Sequence, residues 1–258
     1  MDPLQQVNYL LSHYGEFFLK GLGGTILLSI IGTIGGLLLG IPLALGENIV
    51  ITKQMGFTQK AWRKAVRTLS KAYSLVVRGT PMMVQAMIFK YGCQAGGLNW
   101  NNVLPGMDVF DGWMAAGLIV ITFNTAAYMA EVVRSGLNGI DKGQEEGARS
   151  LGLTKTQTLL YVTLPQALRN SIPTIGNEWI VNIKDSSVLN VIGVSELYFE
   201  SSQAAYKGYM FVAAYIIVAV IYLILTLLTT GFLRLVEKKM DGDKFNFSLF
   251  HFSKKGNA

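Results

Sequence analysis

Cysteine is nearly missing from this chain of 258 residues: Cys93 stands alone. That excludes an internal disulfide framework and a C-x-x-C redox or zinc motif. Histidine is almost as scarce, and His13 and His251 lie at opposite ends, so no histidine metal cluster is expected. Charge is thin as well. Asp, Glu, Lys and Arg make up 15% of the residues, against roughly a quarter in a soluble domain. No GxxxxGK[ST] segment is present, so the chain cannot hold nucleotide phosphates in the P-loop manner, and no HExxH occurs. Internal repeats, low-complexity tracts and a second soluble domain are absent too. Apolar residues are abundant, at 51% of the chain, and that composition points to a membrane protein. The net charge of +6 suits basic residues in cytoplasmic loops better than nucleic-acid binding.

Five runs read as membrane helices, at about 21–46, 72–89, 113–133, 170–194 and 209–233. The first is uncharged and exceeds the ~20 residues a span needs. The second is interrupted by Arg78, and the fourth carries Glu178, Lys184 and Asp185. The expectation is an all-α membrane protein with residues 1–258 as a single transmembrane domain. The first twenty residues are amphipathic and include Asp2 and Glu16, unlike the basic start of a cleaved signal peptide. Lys and Arg are asymmetric about these runs. Seventeen fall in 47–71, 134–169 and the C-terminal tail, and three (Lys20, Lys90, Lys207) on the other side. The positive-inside rule then puts the N-terminus outside and the C-terminus in the cytoplasm.

The segment 141–165 is a charged loop between two spans. Glu145 and Glu146 suit a first helical turn. Gly152 suits the left-handed position that closes a helix, and Thr154 with Gln157 makes a capping box. Pro165 breaks the second helix or starts the next. The grammar is helix, Gly turn, helix. By itself it fits either a solvated connector or a docking surface for a soluble partner.

Glu146-Gly147-Ala148, Gly152 and Val162-Thr163-Leu164-Pro165 resemble the EAA loop of ABC importer permeases: Glu-Ala-Ala, three residues, Gly, nine residues, Ile, one residue, Leu-Pro. Gly147 and Val162 depart from that pattern, and Gly147 loosens the short helix by roughly 1 kcal/mol relative to Ala. "RGTPMMVQ" (78–85), "AAYMAEVVRSGLNGIDKGQ" (126–144), "GNEWIVNIKDSSVLNVIG" (176–193) and "FFLKGLGGTILLS" near the start resemble segments of polar amino-acid permeases of the histidine, glutamine and arginine type. The resemblance runs over roughly residues 15 to 240. It implies the type I permease fold and a bacterial cytoplasmic-membrane importer subunit that translocates a polar amino acid. The implied partners are ATP-binding subunits that hold ATP and magnesium, an external amino-acid-binding protein, and a second permease chain, identical or similar. The chain itself would bind no cofactor or metal, carry no catalytic residue and touch no nucleic acid. Glu146, Gly147, Ala148, Arg149, Leu151 and Gly152 would then form the surface coupled to the ATPase.

Ionisable and amide groups inside spans are functional candidates by default. Glu178, Asn182 and Asp185 share one helical face at i, i+4, i+7, and Asn124 and Tyr128 share another with Glu131 one turn on. Glu178, Asn124, Tyr128 and Asn182 are the substrate candidates: a carboxylate for the ammonium of an amino acid, and an amide for its carboxylate. A structural network between helices is the alternative for each. A carboxylate at Glu178 leans the cargo toward neutral or basic amino acids. Lys184 and Asp185 read as helix-end ion pairs, and Arg78 as a side chain reaching the interface. Gly-Thr-Pro after Arg78, and Pro173, are expected to bend their helices. Gly32 and Gly36 form a G-x-x-x-G packing device, and 55–71 lies along the membrane surface. An ion-driven secondary transporter is the competing function, although such proteins show paired repeats and more spans. An intramembrane enzyme would need a nucleophile, base or metal set that the spans lack.

Overall fold

The computed structural model describes residues 1–97 and 112–241. Lys244, Lys254 and Lys255 of the basic tail, and His251, lie outside the described residues. Nine α-helices occur among those described: α1 (Pro3–Glu47), α2 (Phe57–Gly79), α3 (Met82–Ala95), α4 (Gly112–Asn138), α5 (Lys142–Ser150), α6 (Lys155–Thr158), α7 (Leu164–Asp185), α8 (Leu197–Gly208) and α9 (Phe211–Asp241). A π-helical turn (Leu159–Thr163) leads into α7, and a 3₁₀ turn (Ser186–Ile192) follows it. No strand occurs among the described residues. By length and composition, three helices among the described residues are long and apolar enough to cross a membrane: α1, α4 and α9.

The 21–46 run belongs to a longer helix. α1 has 45 residues, about 67 Å at 1.5 Å per residue, which exceeds the ~30 Å hydrocarbon core. It bends at Tyr14, where φ is −129° and ψ 16°. Its middle lies against α4 along a glycine seam. A Cβ on Gly32 would stand 2.9 Å from Ile121, and one on Gly36 or Gly40 would stand 2.6 Å from Thr125 or Met129. The G-x-x-x-G device thus brings the α1 backbone onto α4. Leu28, Met114, Ile121, Leu189 and Ile192 are buried together beside that seam.

The single helix expected at 72–89 is corrected to two. Pro81 has no N–H and forces the residue before it out of the helical region, and Thr80 takes φ −127°, ψ 144°. The freed carbonyls are bonded again: Gln85 Nε2 donates to Val77 O (2.7 Å) and Thr80 O (3.0 Å). α2 also runs back to Phe57, so the basic 57–71 stretch and the first part of the expected span form one helix. The 170–194 run is corrected as well. Its α-helix ends at Asp185 and tightens to 3₁₀ until Gly193, where φ is +89°. Pro173 is held inside α7.

α8 has no counterpart in the sequence reading. Glu196 caps it, its carboxylate accepting from Tyr198 N (2.9 Å), Phe199 N (2.7 Å) and the Tyr222 hydroxyl (3.0 Å). The start of α8 meets α1 where glycines allow backbone contact: a Cβ on Gly24 would lie 2.2 Å from Ser195 O. Leu10, Phe18, Leu197, Ala213 and Ile217 close this second core.

Candidate translocation chamber and coupling loop

The break at Thr80–Pro81 opens a cavity of about 460 Å³ between α2, α3, α4 and the end of α7. Arg78, Thr80, Asn124, Tyr128 and Asp185 supply its polar lining, and Met82 and Met83 part of its apolar lining. It falls within the range of roughly 300–1,000 Å³ typical of small-molecule sites. A second cavity of about 800 Å³ adjoins it and shares Arg78, Gly79 and Tyr128. Glu47, Arg67, Lys71, Ser74, Glu131 and Arg134 belong to the polar and charged lining of this vestibule.

An ion-pair chain lines the vestibule and ends on Arg78, the residue it shares with the chamber. Arg78 Nη1 donates to Glu131 Oε2 at 3.1 Å, and its guanidinium lies 5.8 Å from the centre of the Tyr128 ring. Arg134 also pairs with Glu131, and its Nε lies 3.8 Å from Glu47 Oε2. Ser74 Oγ donates to Glu47 Oε1 at 2.5 Å. The chain joins the end of α1, the C-terminal part of α2 and the second half of α4. Arg78 therefore has a role that sequence reasoning missed: it faces the junction of two cavities instead of merely reaching an interface. Its position two residues before a Thr-Pro break was the available signal.

The sequence candidates separate. Asn124 and Tyr128 line the chamber, with Asn124 Nδ2 donating to Gln85 Oε1 at 2.9 Å. Asn182 does not line it. It is 5% exposed, accepts from Thr125 Oγ1 (3.0 Å) and donates to Thr33 Oγ1 (2.8 Å), so both ends of its amide tie α7 to α4 and α1. Glu178 is half-buried on α7, outside the lining of both cavities. Asp185 was expected in a helix-end ion pair. It makes no such pair among the described residues and lines the chamber.

The loop 141–165 folds as two capped helices. Asp141 accepts from Gly143 N at 2.6 Å to open α5. α5 closes on Gly152 at φ +87°, with Gly152 N bonded to Arg149 O (3.0 Å) and Leu153 N to Ala148 O (3.3 Å), the paired bonds of a Schellman motif. Thr154 and Gln157 cap α6 reciprocally, at 2.9 and 3.3 Å. Ala148 is buried, while Glu146, Gly147, Arg149, Leu151 and Gly152 are exposed, Leu151 at 84%. Gln166 of α7 reaches Gln144 of α5 at 3.2 Å, a direct link from this surface to the helix that carries Glu178 and Asp185.

Comparison with known proteins identifies the family. Residues 55–242 match the family described as binding-protein-dependent transport system inner membrane component. The arginine transport system permease protein ArtQ of Bacillus subtilis (strain 168) is 34% identical over 224 residues, 87% of this chain and 92% of that protein. The glutamine transport system permease protein GlnP of Escherichia coli (strain K12) is 33% identical over 222 residues, covering 86% and 92%. A solved amino acid ABC transporter superposes with a TM-score of 0.75 at 32% identity, covering 93% of this chain and 99% of the other. The MetNI methionine ABC transporter in an inward-facing conformation shares the fold, with a TM-score of 0.67 at 19% identity, covering 87% and 96%. The chain thus belongs to the binding-protein-dependent transport system inner membrane components, as a non-catalytic permease subunit of an ABC transporter.

Proposed function

We propose that this permease carries a polar amino acid into a bacterial cell across the cytoplasmic membrane, through the chamber at the α2–α3 break. The observation that carries this reading is that Arg78 and Asp185, a cation and a carboxylate, both line one cavity of about 460 Å³. A zwitterion needs a cation for its carboxylate and an acceptor for its ammonium, and these two residues supply both. Asn124, Tyr128 and Thr80 add hydrogen-bonding capacity beside them. Glu178 acts from the edge of the site, adding negative charge that favours neutral or basic cargo.

In this reading the α2–α3 pair and α7 with its 3₁₀ turn cross the membrane along with α1, α4 and α9. That makes five crossings, with the basic start of α2 and the α5–α6 loop in the cytoplasm. Glu146, Arg149 and Leu151 dock on an ATPase subunit that holds ATP and magnesium, and the buried Ala148 anchors that surface to the permease. An external binding protein delivers the amino acid, and a second permease chain closes the pathway. The ion-driven alternative has no observation in its favour here.

The test is Asp185→Asn in the complex reconstituted with its ATPase and binding protein. Vanadate-sensitive amino-acid uptake is expected to fall about tenfold, equivalent to ~1.4 kcal/mol. Uptake at the parental rate would remove Asp185, and the chamber with it, from the pathway.

A further inference from the structure

α2 carries three different faces. Ser70 and Ser74 are buried against the neighbouring helices. Trp62, Leu69 and Val76, seven residues apart, are exposed and apolar, as a lipid-facing stripe must be. Arg67, Lys71 and Arg78 form the third face, at i, i+4 and i+11, and all three line the vestibule. At 100° per residue the basic face points away from the apolar stripe. These cations therefore face a cavity and not the acyl chains.

Both carboxylates in that cavity are already engaged. Glu131 is held by Arg78 and Arg134, and Glu47 by Ser74 and Arg134. Arg67 and Lys71 make no ion pair or hydrogen bond among the described residues. The vestibule thus holds two uncommitted positive charges. They stand at about 10 and 16 Å along the helix from Arg78, the residue common to vestibule and chamber.

Resting on the amino-acid reading above, we propose that Arg67 and Lys71 are an exit subsite that takes the carboxylate of the cargo from Arg78 and passes it toward the cytoplasm. A carboxylate leaving Arg78 otherwise meets Glu47 and Glu131, with Arg134 already committed to both of them. The two free cations give it successive binding positions on the same helix face, roughly 10 and 6 Å apart. Binding at each is expected to be weak, because both side chains are exposed and solvent screens them. Weak binding suits release.

Phosphate groups of anionic lipids share this chemistry, so the test separates the two. The full complex with ATPase and binding protein is placed in phosphatidylcholine vesicles and in vesicles containing phosphatidylglycerol, and Arg67→Gln/Lys71→Gln is compared with the parental chain. Uptake is expected to fall at least threefold in both membranes, while Arg67→Lys/Lys71→Arg restores it. Neither residue has a partner to lose among the described residues, so the fold is expected to survive. Retained ATPase activity and the single variant Lys71→Gln check this. Unchanged uptake, a loss confined to anionic vesicles, or an equal loss in the charge-conserving pair would each overturn the subsite. A parental complex that carries no amino acid would overturn the functional reading itself. That result is distinct from a parental complex that transports and a variant that matches it.

Discussion

Two glycines five residues apart in the 141–165 loop should respond to the same substitution with opposite sign. Gly147 lies inside α5, and a Cβ built on it meets nothing within 4 Å. Replacing it with Ala removes the entropy cost of a mid-helix glycine, about 0.5–1 kcal/mol. Gly152 also has open space around it, but its φ is +87°. There an L side chain costs roughly 1–2 kcal/mol, and the strain falls on the two Schellman bonds that close the helix. Gly147→Ala is therefore expected to slow amide exchange across 142–153 roughly two- to fivefold, and Gly152→Ala to speed it roughly fivefold or more. The assay is hydrogen–deuterium exchange with mass spectrometry on the permease in lipid nanodiscs. Faster exchange in Gly147→Ala, or no change in Gly152→Ala, would show that the loop is not held as a rigid capped pair of helices. If rigidity transmits ATPase closure, Gly147→Ala also keeps uptake at or above the parental rate, while Gly152→Ala lowers uptake per ATP hydrolysed.

Much of this loop was readable because each part is local. A helix-closing glycine, a capping box and a first-turn acid act within a few residues, and the structure shows Gly152 in the left-handed region and Thr154 paired with Gln157. The α1–α4 seam was readable for a similar reason, since glycines at i and i+4 make a groove whatever fills it. The chamber was only half legible. Asn124 and Tyr128 share a face by spacing, but whether a polar residue meets water or another helix depends on its partners. Asn182 finds Thr33 and Thr125, residues 149 and 57 positions away, and periodicity carries no trace of either. Hydropathy misjudged 72–89 because it counts apolar residues and ignores the backbone constraint of Pro81. It missed α8 because twelve residues capped by a buried Glu196 do not resemble a span.

Three further substitutions separate packing from transport. Gly40→Ala is expected to destabilise the permease by about 1–2 kcal/mol, the overpacking cost less the helix-propensity gain. The new Cβ would lie 2.9 Å from Ala130 N and 3.0 Å from Ala126 O, backbone atoms that cannot step aside. An unchanged melting temperature in detergent would refute the close seam. Asn182→Ala strips two buried hydroxyls of their partner and is expected to cost about 1–3 kcal/mol without altering which amino acids compete for uptake. An altered competition profile would return Asn182 to the pathway. Arg78→Gln should do the reverse. Its ion pair with Glu131 is partly exposed, at 41% and 37% of the two side chains, and such pairs contribute up to about 1 kcal/mol. Arg134 continues to hold Glu131 after the change, so no carboxylate is left stranded. The chamber, however, loses its only cation among the described lining residues. Uptake should therefore fall tenfold or more, equivalent to at least about 1.4 kcal/mol, while the melting temperature moves less than in Asn182→Ala. A variant that melts early and still transports at the parental rate would show that Arg78 is a strut between α2 and α4 and not the group that receives the cargo's carboxylate.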